Sequence, residues 1–279
     1  ANAAPLMLDG KPDTSASANV PTIDITISGS TLNAKSNGYA VMAYNPANIT
    51  IENGSTLTGW NAIYMRKVYS ARGNRGTEYS TIVIKDSAIS TKSAHNGDSS
   101  KFGAIVFECG NITFDMTDST VTAEATGTAD QSVIYYSGYY AGTHPSTIDV
   151  NIERTDVTLT GEAMSLVGTG ALSDFPAEDR NVEVKGGSFN FAVDLEYVAD
   201  GYMLAQNGDG TYGVLNDEEA AENFAAKVTG EEGSVAYKTL AAAVTAAEAG
   251  DTVKLLADVS GNITINANQS VTLDVNGKT

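Results

Sequence analysis

One short unit recurs six times before residue 190: apolar side chains at alternating positions, a small polar turn, then another apolar residue. The copies are Ile23–Leu32, Ile49–Leu57, Ile82–Ile89, Ile112–Val121, Ile148–Val157 and Val182–Phe189. Alternation with a period of two marks a strand with one buried face. Most copies are followed by a further apolar stretch, as in Tyr39–Tyr44, Ala62–Met65, Gly103–Phe107, Val133–Tyr136 and Met164–Val167. The last apolar residue before each turn is Ile27, Ile51, Ile84, Met116, Ile152 or Val184, giving steps of 24, 33, 32, 36 and 32 residues. The strand–turn–strand part is constant, and the connecting loop absorbs the variation.

A unit too small to bury its own apolar face, repeated at this period, must stack on its neighbours. Three short strands per coil predict a right-handed parallel β-helix, an all-β solenoid. In it those six residues form one internal column rising about 4.8 Å per coil. An antiparallel β-sandwich also contains many short strands, but it does not call for one unit six times. Asp86 and Asp118 lie three positions before the next inward residues, Ile89 and Val121, and Gly29, Gly54 and Gly186 hold the equivalent place elsewhere. These residue types predict a corner with unusual backbone angles. The solenoid is expected over residues 1–195.

The pattern then changes. Two apolar stretches around Asn207-Gly208-Asp209-Gly210 predict a β-hairpin over residues 198–214. From Asn216 to Lys227 acids come first and a lysine last, as a short helix prefers. Hairpin and helix make a junction over 196–230. From 231 to 279 a second β-helix-like module is expected to begin. A short α-helix with Leu240, Val244 and Ala247 on one face caps it. Strands follow at Thr252–Leu256, Ile263–Ile265 and Val271–Val275. Ending after so few strands, the chain is expected to be part of a longer array.

Tyr237–Val244, Gly250–Leu256 and Val271–Lys278, with Gly186–Phe189, Ala199–Tyr202 and Asn207–Tyr212, resemble a module repeated in large cell-surface proteins of gut Firmicutes and related bacteria. The segment before residue 186 resembles the pectate-lyase-like β-helix superfamily in pattern. The first resemblance implies a secreted adhesin displayed at the cell surface or cell wall, where anchoring by a C-terminal sorting signal is usual. No such signal is visible here, so anchoring would belong to chain outside this sequence.

Charge narrows the partners. Thirty-four acidic and 16 basic residues give a formal charge of −18, which argues against nucleic acid and anionic membrane surfaces. No run of 18 apolar residues is present, so no membrane insertion is expected. The lone Cys109 sits in an apolar run and suits a small buried hydrophobe. No metal site or cofactor is expected.

β-Helices host polysaccharide lyases and glycoside hydrolases, so catalysis must be weighed. Glycoside cleavage needs two carboxylates flanking the bond. The paired aspartates, Gly-His-Gly and Arg-x-Lys of polygalacturonases are missing. Asp115, Asp149, Glu153 and Glu183 are scattered singly on expected outward faces, and His95 and His144 sit in Gly/Ser/Pro loops. One insertion reverses the general charge: Arg66, Lys67, Arg72 and Arg75 crowd together, with Trp60 and Tyr64 just before them. A second aromatic loop carries Tyr136 and Tyr139. Arginine forks suit carboxylates and sulfates, and aromatic faces suit sugar rings. These eight residues are the candidate ligand-binding set, for a host or bacterial glycan or a surface protein. The competing account is that the arginines neutralise nearby acids and the tyrosines cover a sheet face. The expected function is a non-catalytic, adhesin-like binding or stalk module, with a carbohydrate-active enzyme as the alternative.

Overall fold

The computed structural model describes residues 4–9, 22–35, 38–65, 79–93, 101–108, 110–125, 129–136, 147–169, 180–266 and 269–279. Contacts divide the chain into two compact units, Ala1–Val182 and Glu183–Thr279. The first is a parallel β-solenoid of about five turns.

A short leading strand, β1 (Leu6–Leu8), precedes the first full coil of β2 (Ile23–Ser28), β3 (Thr31–Asn33) and β4 (Tyr39–Ala43). The second coil is β5 (Ala47–Glu52), β6 (Thr56–Gly59) and β7 (Asn61–Met65), and the third is β8 (Tyr79–Lys85), β9 (Ala88–Ser93) and β10 (Lys101–Phe107). The fourth is β11 (Asn111–Thr117), β12 (Thr120–Ala125) and β13 (Asp130–Tyr136). In the fifth, β14 (Ile148–Thr160) runs through the corner as one strand and is followed by β15 (Met164–Thr169). Stacking like strands produces three faces, in the orders β2-β5-β8-β11-β14, β3-β6-β9-β12-β14 and β1-β4-β7-β10-β13-β15. Every ladder among them is parallel.

Register turns the sequence repeats into columns. Ile27, Ile51, Ile84, Met116 and Ile152 are consecutive partners, as expected. Ile25, Ile49, Ile82, Phe114 and Val150 form a second column beside them. On the next face Leu32, Leu57, Ile89, Val121 and Val157 stack. From the second coil onward these side chains are buried. Burying each one stabilises the fold by about 1.5–3 kcal/mol, and none could be buried by a single coil.

The corner between the first two faces is more specific than its sequence suggests. Two residues after the last inward side chain, Gly29, Asn53, Asp86, Asp118 and Arg154 all have φ between 45° and 57°. Gly54, expected at this corner, is instead an extra residue after Asn53, itself at φ 72°. The turn does not interrupt the ladder. Gly29, Asp86 and Asp118 donate their N–H groups to Glu52, Thr117 and Glu153 of the following coil. Immediately beyond the bend comes a hydroxyl residue, Ser30, Ser55, Ser87, Ser119 or Thr155, and all but Ser30 are buried. The Ser119 hydroxyl donates to the Thr117 carbonyl at 2.7 Å and accepts the Ser87 N–H at 3.2 Å. Ser55 likewise donates to Glu52 and accepts from Ser30. The hydroxyl satisfies backbone groups that a sharp bend would leave buried and unpaired.

The second unit is a mixed sheet. Strand β16 (Arg180–Phe189) crosses the division between the units. After it come β17 (Tyr202–Gln206), β18 (Tyr212–Asn216), α1 (Asp217–Asn223), β19 (Ala226–Gly230), β20 (Gly233–Tyr237), α2 (Leu240–Ala246), β21 (Thr252–Leu255) and β22 (Thr272–Asp274). Their order is β16-β18-β17-β20-β19-β21-β22. The expected hairpin is β17–β18. Helix α1 starts where expected, on a reciprocal cap: Asn216 accepts from Glu218 and Glu219, and the Glu219 side chain accepts the Asn216 N–H. It stops at Asn223 because Ala226 and Val228 turn inward on β19, which is antiparallel to both β20 and β21. Helix α2 begins at Leu240, capped by Thr239, and Tyr237 belongs to β20. Only β21–β22 continues in the parallel manner of a solenoid at this end. Ile263–Ile265 is not a strand, since β21 pairs directly with β22 and leaves it no place in the ladder. Among the described residues no helix is long and apolar enough to cross a membrane.

The corner makes a stability prediction. Ser119→Ala removes a hydroxyl serving two backbone groups and is expected to cost about 1–3 kcal/mol. Ser119→Thr, which copies Thr155 one coil later, is expected to stay within about 0.5 kcal/mol of the parent. Urea unfolding followed by fluorescence of Trp60, the sole tryptophan, measures both. Equal losses in the two variants would reject the role given to the hydroxyl.

Candidate binding face

The six-stranded face differs from the other two because its strands are buried on both sides. All five residues of β4 and of β7 are buried. By alternation, Val41, Ile63, Ile105 and Ile134 fill the coil interior, and Met42, Tyr64, Val106 and Tyr135 point the other way in consecutive register. The outward column is nevertheless only 3–9% exposed. Together with Tyr39 it forms one apolar cluster, against which Ala4 and Tyr44 pack. The rings of Tyr39 and Tyr64 lie 4.5 Å apart and 31° from coplanar. The Tyr64 hydroxyl donates to the Glu108 carboxylate, and both residues are buried. This is a tyrosine-lined face carrying one firmly held acid.

Of the eight candidate residues, the structure places three. Tyr64 lies at the centre of this face. Trp60 precedes β7, half-buried, and donates its backbone N–H to the Gly38 carbonyl at 2.8 Å. Tyr136 is fully buried, in the inward column with Ala43, Met65 and Phe107. It is therefore a core side chain and offers no ring to a ligand. Arg66, Lys67, Arg72, Arg75 and Tyr139 lie outside the described residues, as do His95, His144 and Cys109. Tyr39, Met42, Tyr44 and Glu108 belong to the face and were not singled out by sequence. The available signal was a strand with no alternation at all in Tyr39–Tyr44, since a strand buried on both faces reads as a continuous apolar run.

The outward acids are occupied. Asn48 donates to Asp24 at 2.7 Å, Asn151 to Asp115 at 2.9 Å and Asn181 to Asp149 at 2.9 Å. In each pair the amide comes one coil after the acid. Glu183 pairs with Lys185 at 2.6 Å. Arg154 binds Asp118 through two nitrogens, at 2.7 and 3.0 Å, and also reaches Glu153. A non-glycine residue in the left-handed region costs about 1–2 kcal/mol, and at Arg154 this double fork offsets the cost. The same hydrogen bonds hold the Asp118 carboxyl below its ordinary range. All four acids marked in the sequence thus have a structural partner. Among the described residues no group of three or more His, Cys, Asp or Glu side chains could hold a metal ion.

Two outcomes are expected. Tyr64→Phe leaves the buried Glu108 short of a donor and is expected to cost about 1–3 kcal/mol. In a double-mutant cycle with Glu108→Gln the two losses should be clearly non-additive, whereas strict additivity in urea unfolding would show that the hydroxyl–carboxylate contact contributes nothing. The second concerns pH. The folded pKa of Asp118 is depressed, so its contribution is complete above the unfolded value of about 3.9. It is lost as pH falls through the lower, folded value. Asp118→Asn should therefore flatten the acid limb of melting temperature against pH, and parallel limbs in parent and variant would contradict it.

No protein-family model matches the sequence, and neither the curated proteins nor the solved structures yield a match.

Proposed function

We propose that this chain is a surface-displayed, non-catalytic module of a secreted bacterial protein, acting as an adhesin-like binding or stalk unit. The observation that carries this reading is the occupation of the outward carboxylates. Asp24, Asp115, Asp149 and Asp118 each receive hydrogen bonds from the following coil. An acid that cleaves glycosidic bonds must be free to give a proton or attack a sugar carbon, and these acids are committed to holding neighbouring coils together. Parallel ladders on three faces supply rigidity along the stack, which suits a unit that must hold a binding surface away from a cell. The binding surface is assigned to the basic insertion of Arg66, Lys67, Arg72 and Arg75 beside Trp60 and Tyr64, with an anionic glycan as its ligand class.

The test has two arms. Beads coated with the chain are expected to be retained on arrays of sulfated or uronic-acid glycans, and the triple variant Trp60→Ala, Arg72→Ala, Arg75→Ala is expected to lose at least tenfold in retention. Blank arrays for both proteins would remove the binding assignment and leave a stalk. Incubation with pectin or host glycans should release no reducing or unsaturated ends above a Glu108→Gln control. Sustained release by the parent alone would overturn the non-catalytic reading.

A further inference from the structure

The last strand of the second unit leaves its apolar columns unfinished. Val228, Val253 and Leu273 are consecutive partners across β19, β21 and β22. Their exposures are 7%, 0% and 42%. Val275, two residues further along, is 52% exposed, and Ile265 nearby is 46% exposed. These are the inward positions of the ladder, since Val253 and Leu255 pack with Ala243, Val244 and Ala247 of α2. The side chains are uncovered because no strand follows β22 in the ladder of described residues.

The first strand of the solenoid has the complementary shortfall. In β2, Ile23 and Ile25 are only half-buried, whereas their successors in the same columns, Ala47 and Ile49, are fully buried. Among the described strands, β2 pairs with β5 alone.

The two sequences fit each other in one parallel register. Placing Leu273 opposite Ile25 sets Val271 opposite Ile23 and Val275 opposite Ile27, so that every apolar position continues a column. On the outward side Asp274 meets Thr26 and Thr272 meets Asp24, with no like charges opposed. Gly277 then falls beside Gly29. Their φ values, 69° and 55°, are both left-handed, as in the corner column of the solenoid itself. A shift of two residues one way sets Asp274 against Asp24, and a shift the other way sets Val275 against Gly29. Both shifts also put the corners out of step.

From this fit we propose that β22 of one molecule takes β2 of a second copy of this chain as its next parallel strand, giving head-to-tail association. The contact is heterologous, so it leaves a free β2 and a free β22 at the ends of every complex and is not limited to dimers. The net charge of −18 on each copy opposes it, and salt screens that repulsion.

Sedimentation velocity of the 279-residue chain is expected to show species larger than a monomer that grow with concentration and with ionic strength. Leu273→Lys combined with Val275→Lys, at two exposed positions, is expected to sediment as a monomer with an unchanged circular dichroism spectrum. Register is read by mixing Val275→Cys protein with Ile27→Cys protein under oxidation, keeping Cys109 and mapping the cross-linked peptides by mass spectrometry. The 275–27 cross-link is expected to dominate. Monomers at every concentration and salt level would overturn the proposal. So would a dominant 275–275 cross-link, which would indicate symmetric pairing of two β22 edges.

Discussion

Everything in the solenoid depends on the backbone ladder surviving a sharp change of direction. A flat parallel sheet needs no special residues to continue, but a coil with three faces must bend within two or three residues in every turn. The bend puts one residue in the left-handed region, where only Gly, Asn and Asp are comfortable, and threatens to bury unpaired peptide groups. Here the corner N–H groups donate to the next coil, and a buried hydroxyl takes up further backbone groups beside them. With the corner in place, the register of both flanking faces is fixed, and every apolar column follows from it. Arg154 is the exception that reveals the rule, because it tolerates the same backbone only with its guanidinium gripping the aspartate one coil earlier.

Much of this was legible in the residues. The column Ile27, Ile51, Ile84, Met116 and Ile152 follows from period-two alternation at nearly constant spacing, and register follows from the turns. What could not be read was chemistry that a repeat finder treats as background. Ser55, Ser87, Ser119 and Thr155 look like ordinary turn residues, and their burial depends on stacking that exists only once the coils are assembled. In the second unit the pair β19–β20 escaped notice because its inward residues are few and small, chiefly Ala226, Val228 and Ala236. Ile263–Ile265 erred the other way: it alternates well but has no neighbour in the ladder, and alternation alone does not make a strand.

The aromatic side chains divide along the same line. Tyr64 and Tyr136 are similar in sequence, each ending an apolar run next to a polar loop. One residue of parity separates their fates: Tyr136 faces the coil interior with Phe107, while Tyr64 faces outward and reaches Glu108. Composition could locate tyrosines near this face, but only register could say which of them leave the core. The occupied acids are a similar case. Their spacing along the chain looks scattered, and the order appears only when each aspartate is seen beside the amide of the following coil.

That order has a chemical consequence over time. Asn48, Asn151 and Asn181 each donate to a carboxylate on the preceding coil. Hydrolysis of any of these amides to aspartate would replace a donor with a second carboxylate about one coil rise, 4.8 Å, from the first. A hydrogen bond between coils would become a repulsion that grows with pH through the carboxylate range. The outer face of the stack thus ages by single amide losses, each loosening one defined pair of neighbouring coils and leaving the apolar columns beneath untouched.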